Sequence, residues 1–258
     1  NQSFGSPALW DVVGRYCEQE GETLPSLQRV FSSGAPVPPR VLRSMTRVMA
    51  PGGEMFTPYG ATEALPVASI SATEVLQETA TLSEQGMGTC VGRRFDGIEW
   101  KVIRIRDDAI EQMQDAELVP SGEIGELVVR GPVVTSSYVN LPLQTELHKM
   151  QDGNTFWHRM GDVGYCDEQQ RFWFCGRKSQ RVGIHGKTLF TVPCEAVLNC
   201  HPSVFRSALV GVGPAETRRA VIVVELWPDK RCQGQQEKQA LESELLELAH
   251  ANPLTEEI

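Results

Sequence analysis

Two amphipathic helix patterns alternate with short apolar strands in the first 60 residues, and this alternation limits the chain more than any other feature. Residues 7–21 set Leu9, Val12, Val13 and Tyr16 at helical spacing behind Ser6-Pro7, which suit a cap and a first helical position. A second helix opens at Pro38-Pro39, aligns Val41, Leu42, Met45, Val48 and Met49 on one face, and stops at Pro51-Gly52-Gly53. Between them "LQRVFSSGAPVPP" reads as a strand running into a Ser/Gly/Pro turn. The order helix, strand, loop, helix, strand, loop predicts an α/β layer with a parallel sheet, whose ligand sites gather in the loops after the strands. The Ser32–Pro36 and Tyr59–Glu63 loops are then expected along one rim.

The texture changes twice further on. "EWKVIRI", "GELVVRG" and "RFWFCG" are short alternating or β-branched runs between "PSGEIG" and "CDEQQ" turns, as in a small antiparallel barrel or sheet. After Arg177 a strand-like "SQRVGIHGKTLF", a short helix near Glu195–Cys200, the strands "SALVGVG" and "AVIVVELW", and a helix carrying Leu241, Leu245 and Leu248 suggest a compact α+β unit. The expected division is 1–87 for the end of an α/β nucleotide-binding subdomain, 88–176 for a β-rich barrel subdomain, and 177–258 for part of a C-terminal α+β domain.

Composition removes several function classes. The 258 residues are 41% hydrophobic and carry a net charge of -9, with no lysine and arginine run interleaved with aromatics, so nucleic acid is not an expected partner. Seven scattered cysteines form no Cys-x-x-Cys pair, which argues against a zinc knuckle and a disulfide scaffold and fits reduced thiols in a cytoplasmic setting. No apolar stretch approaches the ~20 residues of a membrane helix. The five histidines show no metal-site spacing. Ser32-Ser33-Gly34 lacks the Gly-x-Ser-x-Gly frame of a serine hydrolase.

Three places combine glycine with polar chemistry. "TPYGATEALPVASI" presents Tyr59, Thr62 and Glu63 around a Gly60 turn; Glu63 beside a hydroxyl suits a hydrated magnesium ion, or a helix-capping Thr-Glu pair. "HRMGDVGY" offers Asp162 either to the vicinal hydroxyls of a ribose or to an Asp turn entering a hairpin. "CGRKSQRV" places Arg177 where it suits a ribose or phosphate, or an interdomain ion pair.

In their order and separation, "SSGAPVPPRVL", "YGATE", "GEIGELVVRGP", "HRMGDVGYCDEQQRFWFCGR" and "RVGIHGK" resemble successive blocks of the adenylate-forming superfamily of acyl-CoA synthetases, peptide-synthetase adenylation domains and luciferases, across residues 27–213. The resemblance implies that Gly34, Ala35 and Pro36 flank an adenine, with Ser33 in place of a more usual glycine. Tyr59 would stack on that adenine and Gly60 would admit the acyl phosphate. Thr62 would contact phosphate, Glu63 would help hold magnesium, Asp162 would bind ribose hydroxyls, and Arg177 would contact the ribose near a hinge. ATP and Mg2+ are the implied cofactors, and acyl-adenylate with pyrophosphate the implied products. Because a carboxylate is a poor nucleophile toward polyanionic ATP, such a site works by positioning and charge compensation rather than by a protein nucleophile.

Three parts of the pattern are missing or altered. The Ser/Thr/Gly-rich phosphate loop and the C-terminal lysine of the family are not found, so the chain is expected to be a fragment that does not adenylate efficiently by itself. In "GRKSQRVGIHGKTLFTVPCEAV" Ser179 stands where the hinge aspartate is expected, Gly183 and His185 replace basic positions, and Glu195 alone remains of the late acids. That segment helps build the thioester-forming face in acyl-CoA synthetases, which puts a role for CoA in doubt. "SPALWDVVGRYCEQEGETLPSLQRVFSSGAPVPPRVL" looks most like the β-lactone synthetases of bacterial long-chain olefin biosynthesis, a branch often labelled fatty-acid–CoA ligase, although Phe56 replaces a histidine before Thr57. This implies activation of a long-chain β-hydroxy fatty acid followed by lactone closure, with association with other enzymes of such a pathway left open. A long-chain fatty-acid–CoA ligase and a non-catalytic nucleotide-binding module are the alternatives.

Overall fold

A computed structural model describes residues 1–258, the side chain of Ala215 excepted. The chain forms two compact units: Asn1–Thr81 with Cys90–Trp173, and Leu82–Thr89 with Phe174–Ile258.

The first unit opens with the expected parallel layer, including a strand the sequence pattern does not reveal. β1 (Gln2–Gly5), α1 (Pro7–Glu20), β2 (Arg29–Ser32), α2 (Pro39–Val48) and β3 (Glu54–Phe56) make a βαβαβ run whose three strands lie in the order β1-β2-β3. Both pairings are parallel, with Val30 opposite Ser3 on one side and Met55 on the other. Ser6 caps α1, its Oγ accepting from Leu9 N–H at 3.3 Å, and Pro7 follows in the position where a missing N–H costs nothing. α2 buries Val41, Leu42, Met45 and Val48, the face its spacing predicts.

The face of α1 is a correction. Leu9, Val12 and Tyr16 lie outside, and the buried side carries Trp10, Gly14 and Cys17. A Cβ on Gly14 would lie 2.4 Å from Ser44 Oγ, so the glycine is where α2 comes closest. A hydropathy pattern reads that contact point as a gap in the apolar stripe.

β4 (Tyr59–Ala61) and β5 (Ala64–Ser69) form an antiparallel hairpin, and β5 also pairs antiparallel with β7 (Arg93–Arg94) beyond the short β6 (Thr89–Cys90). The β-rich stretch forms an antiparallel sheet within the same compact unit as residues 1–81. β8 (Glu99–Ile103) pairs with β9 (Gly125–Arg130), β9 with β11 (Thr155–Cys166), and β11 with β10 (Lys149–Asp152). Ile103, Ile110, Met113, Val128, Met150 and Trp157 pack one core against it. The chain passes into the second unit within β12 (Phe172–Arg177).

The second unit has the expected α+β character. Hairpin Val182–Ile184 with Lys187–Leu189, helix Thr191–Asn199, the long hairpin Val204–Val212 with Arg219–Leu226, and helix Gln235–His250 follow in turn. Val182, Ile184, Leu189, Cys194 and Leu209 form its core, and Leu245 and Leu248 pack against a second cluster around Val197 and Leu198. Among the described residues no helix is long and apolar enough to cross a membrane.

Candidate active site

β2 and β3 are parallel neighbours with Phe31 opposite Phe56, their rings stacked at 5.7 Å. The segments that follow them therefore leave the same end of the sheet, the end at which open α/β sheets collect ligands. Gly34, Ala35 and Pro36 lie exposed in the first of these, Gly34 with φ of 94°. Behind them Ser32 is fully buried, and its Oγ has no hydrogen-bond partner among the described residues.

The second segment leads into the β4–β5 hairpin, where the structure moves the turn. Tyr59, Gly60 and Ala61 are strand, and the chain reverses at Thr62-Glu63. Gly60 is needed for proximity rather than for turning: a Cβ there would lie 2.4 Å from Ala64 O and 2.9 Å from Leu65 Cδ1. The Thr62 side chain is exposed at the tip, and Glu63 is half-buried beside it. The hairpin turn also replaces the helix-cap alternative for this Thr-Glu pair.

Asp162 comes to this hairpin from 103 residues away. It lies in β11, where pairing with β9 shifts between Arg159 and Val163 and Gly161 takes φ of 66°. Such an irregularity re-aims a side chain out of the regular alternation of a strand. An Asp turn into a hairpin is therefore not what "HRMGD" makes. The Tyr59 hydroxyl donates to Asp162 Oδ2 at 2.5 Å, Asp162 is 3% exposed, and the Tyr59 ring lies 6.0 Å from that of Phe172. An aromatic ring and an acceptor carboxylate thus stand together, as recognition of a nucleoside base and its ribose requires. Arg177, the remaining predicted residue, is exposed at the end of β12 in the second unit.

Around Glu63 the structure adds residues that the sequence did not single out. The Tyr138 hydroxyl donates to Glu63 Oε1 at 2.8 Å, and Thr135 N–H donates to the Glu63 carbonyl at 2.8 Å. Lys149, 5% exposed, donates from Nζ to Thr135 O at 2.5 Å. Burial works to raise the Glu63 carboxyl, but the Tyr138 hydrogen bond, its own backbone N–H and the nearby His158 and Lys149 together hold it below the usual carboxylate value. Burial pushes Lys149 down to about 8 against the pull of Glu63. Burial, with Lys149 adding to it, pushes His158 down to about 4 while the His148 carbonyl and Glu63 oppose; the His158 ring nitrogen Nδ1 lies 3.1 Å from His148 O. Tyr138 is raised, first by burial and then by Glu63.

A single half-buried carboxylate that keeps its charge suits magnesium, which prefers one or two carboxylates together with phosphate oxygens and water. Among the described residues no group of three or more His, Cys, Asp and Glu side chains gathers to hold a metal without such outside oxygens. Donor chemistry and hydrated magnesium therefore fit, with Glu63 as the protein's contribution.

Residues 2–139 match the AMP-binding enzyme family. This chain belongs to that family. It is 43% identical over 99% of its length to an olefin beta-lactone synthetase from Stenotrophomonas maltophilia and 43% identical over 88% of its length to one from Xanthomonas campestris pv. campestris. A phenylacetyl-CoA ligase from Aspergillus niger is 29% identical over 88% of the chain. The chain spans 45%, 41% and 38% of these three relatives. The fold matches an amide bond synthetase from Marinactinospora thermotolerans at a TM-score of 0.76 and 22% identity, covering 98% of this chain and 46% of that one. It also matches O-succinylbenzoate coenzyme A synthetase from Bacillus subtilis, solved with ATP and magnesium, at a TM-score of 0.70 and 20% identity over 94% of this chain and 45% of that one.

In this member of the AMP-binding enzyme family the altered segment after Arg177 forms a turn and a hairpin. Ser179 lies in a single turn over Lys178–Gln180, and His185-Gly186 form the tip of a hairpin with φ of 47° and 79°. Gly183 is exposed, with open space where a Cβ would be. Glu195 accepts from Leu209 N–H at 3.0 Å and burial raises its carboxyl, so it ties the helix to the neighbouring strand.

Proposed function

We propose that the whole enzyme activates a long-chain β-hydroxy fatty acid with ATP and then closes it to a β-lactone. The observation that carries this reading is the 43% identity, over 99% of the chain, to an olefin beta-lactone synthetase. In the first step a carboxylate oxygen of the acid attacks the α-phosphorus of ATP, giving acyl-adenylate and pyrophosphate. In the second, the β-hydroxyl oxygen of the same acid attacks the acyl carbonyl, AMP leaves, and the hydroxyl proton is released.

On this reading the chain's own residues bind and orient. Gly34, Ala35 and Pro36 border the adenine, Tyr59 packs on it, and Asp162 exchanges its Tyr59 hydrogen bond for the ribose hydroxyls. Gly60 lets the backbone approach the acyl phosphate, Thr62 donates to phosphate from the hairpin tip, and Arg177 contacts the ribose. Glu63 holds the magnesium ion. Bound there, magnesium offsets phosphate charge against the incoming carboxylate. No residue needs to form a covalent intermediate, so rate comes from alignment and charge stabilisation.

Ligation to CoA is the second reading, supported by the identity to the Aspergillus niger phenylacetyl-CoA ligase. The loss of basic positions at Gly183 and His185 weighs against it. The test incubates the full-length enzyme with ATP, magnesium and a long-chain β-hydroxy acid, with and without CoA, and identifies products by mass spectrometry. A CoA-independent product one water lighter than the acid, formed with AMP, is expected. A thioester formed only when CoA is present would replace the lactone reading by the ligase one.

A further inference from the structure

We propose that Tyr138 and Lys149 are positioning residues for Glu63 in the activation step, acting through the 134–138 segment; the inference rests on the acid-activation reading above. A two-residue hairpin turn closes through the strands that flank it and needs no outside fastening. This turn is fastened twice from one segment. Val134 bridges Ala64 antiparallel through the 2.8 Å bond that Thr135 N–H donates to the Glu63 carbonyl, and the Tyr138 hydroxyl donates to the Glu63 carboxylate at 2.8 Å. Backbone and side chain of one residue are thus held by neighbouring groups of a single short stretch.

That stretch is itself anchored from behind. Lys149 Nζ donates to Thr135 O, so Thr135 is held at its N–H by Glu63 and at its carbonyl by Lys149. The same ammonium lies 5.9 Å from the Tyr138 ring centroid and 5.4 Å from that of Phe156, within cation–π range. Tyr138 is fixed on its other sides, its N–H donating to Thr145 Oγ1 at 3.0 Å and its ring meeting His148 edge-on at 5.7 Å.

The choice of partner gives the arrangement its purpose. A phenol can orient a carboxylate oxygen and leave the negative charge in place, whereas a guanidinium in the same position would cancel it. Lys149 adds rigidity while its ammonium donates to the Thr135 carbonyl rather than to the carboxylate. A site that must present one charged oxygen donor to a divalent cation gains from both features.

The test uses the full-length enzyme and its Tyr138→Phe and Lys149→Met variants. Three properties are measured: the ratio of ATP affinities with magnesium and with EDTA by calorimetry, the magnesium dependence of ATP–pyrophosphate exchange, and AMP affinity together with the unfolding temperature. Tyr138→Phe is expected to reduce the magnesium-dependent gain in ATP affinity and the exchange rate each about ten-fold, the scale of one hydrogen bond to a charged group. AMP affinity and unfolding temperature should stay as in the parent. Lys149→Met should move the first two properties the same way by a smaller factor. Unchanged magnesium dependence in Tyr138→Phe, or a loss shared equally by AMP binding and stability, would overturn the inference while leaving acid activation intact. Absence of exchange by the unsubstituted enzyme with every acid tried would overturn the activation reading and this inference with it.

Discussion

Glu126 and Glu63 are both carboxylates of the first unit, and the contrast between their partners separates a structural charge from a usable one. Glu126, on β9, is fully buried and meets Arg159 at 2.7 Å through Nη2 and 3.2 Å through Nε. The same guanidinium donates to the carbonyls of Arg106, Asp108 and Leu147, at 2.5, 2.6 and 3.2 Å. That charge is matched, and the pair serves to knit the sheet to the segment after β8. Glu63 is only half-buried and is held by a neutral hydroxyl. Its charge remains available at the tip of a hairpin. Burial of a carboxylate therefore says little about its role until the partner is known.

The comparison breaks most visibly on its structural side. Arg159→Met leaves Glu126 buried without its guanidinium and should cost about 3–5 kcal/mol of stability in urea unfolding. Adding Glu126→Gln to that variant should recover part of the loss, whereas a loss below about 1 kcal/mol for Arg159→Met would mean that the pair is not what secures this part of the sheet.

Next in size is the acid limb. The folded protein keeps His158 neutral down to about 4, while an unfolded chain takes up the proton near 6.5. Between those values the unfolded state binds more protons, so stability falls as pH falls through the window and levels off below it. The difference amounts to about 3 kcal/mol. Unfolding free energy measured from pH 7 to 4 should show this slope in the parent, and His158→Gln should flatten it.

The functional side is sharpened by Glu63→Gln. It retains a hydrogen-bond acceptor for Tyr138 and removes the charge, so ATP–pyrophosphate exchange should drop about 100-fold, with unfolding free energy changed by less than about 0.5 kcal/mol. A variant as active as the parent would show that the charge is not used. The smallest effect expected is a control remote from both carboxylates: Ser6→Ala removes the cap of α1 and should cost about 1 kcal/mol without altering magnesium dependence.

Much of this architecture was readable from local pattern. α2 announced its buried face because its apolar residues recur at helical spacing between Pro39 and the Gly52-Gly53 stop, and the parallel layer followed from the alternation of elements. β1 was missed because "QSFG" contains a single large apolar residue; the neighbour that makes it a strand is Arg29–Ser32, more than 20 residues on. α1 was assigned the wrong face because Gly14, which marks its contact with Ser44, carries no hydropathy.

The site divides in the same way. Tyr59 and Asp162 are singled out by the resemblance of their motifs, and the structure brings these two candidates together by a hydrogen bond across 103 positions. Tyr138 and Lys149 were not. Tyr138 meets Glu63 across 75 positions and Lys149 meets Thr135 across 14, and a tyrosine in "SSYVN" or a lysine in "LHKMQ" has no local spacing to distinguish it from a surface side chain. A buried lysine at the start of a strand becomes visible only when its carbonyl partner is located.

The most direct test of the account is a crystal structure of the full-length enzyme with a non-hydrolysable acyl-adenylate analogue and magnesium. The account predicts the ribose hydroxyls within hydrogen-bond reach of Asp162, the adenine against Tyr59, and Glu63 still held by Tyr138 on the metal side. An analogue bound elsewhere, with Asp162 still engaged by the Tyr59 hydroxyl and Glu63 facing no part of the ligand, would contradict it.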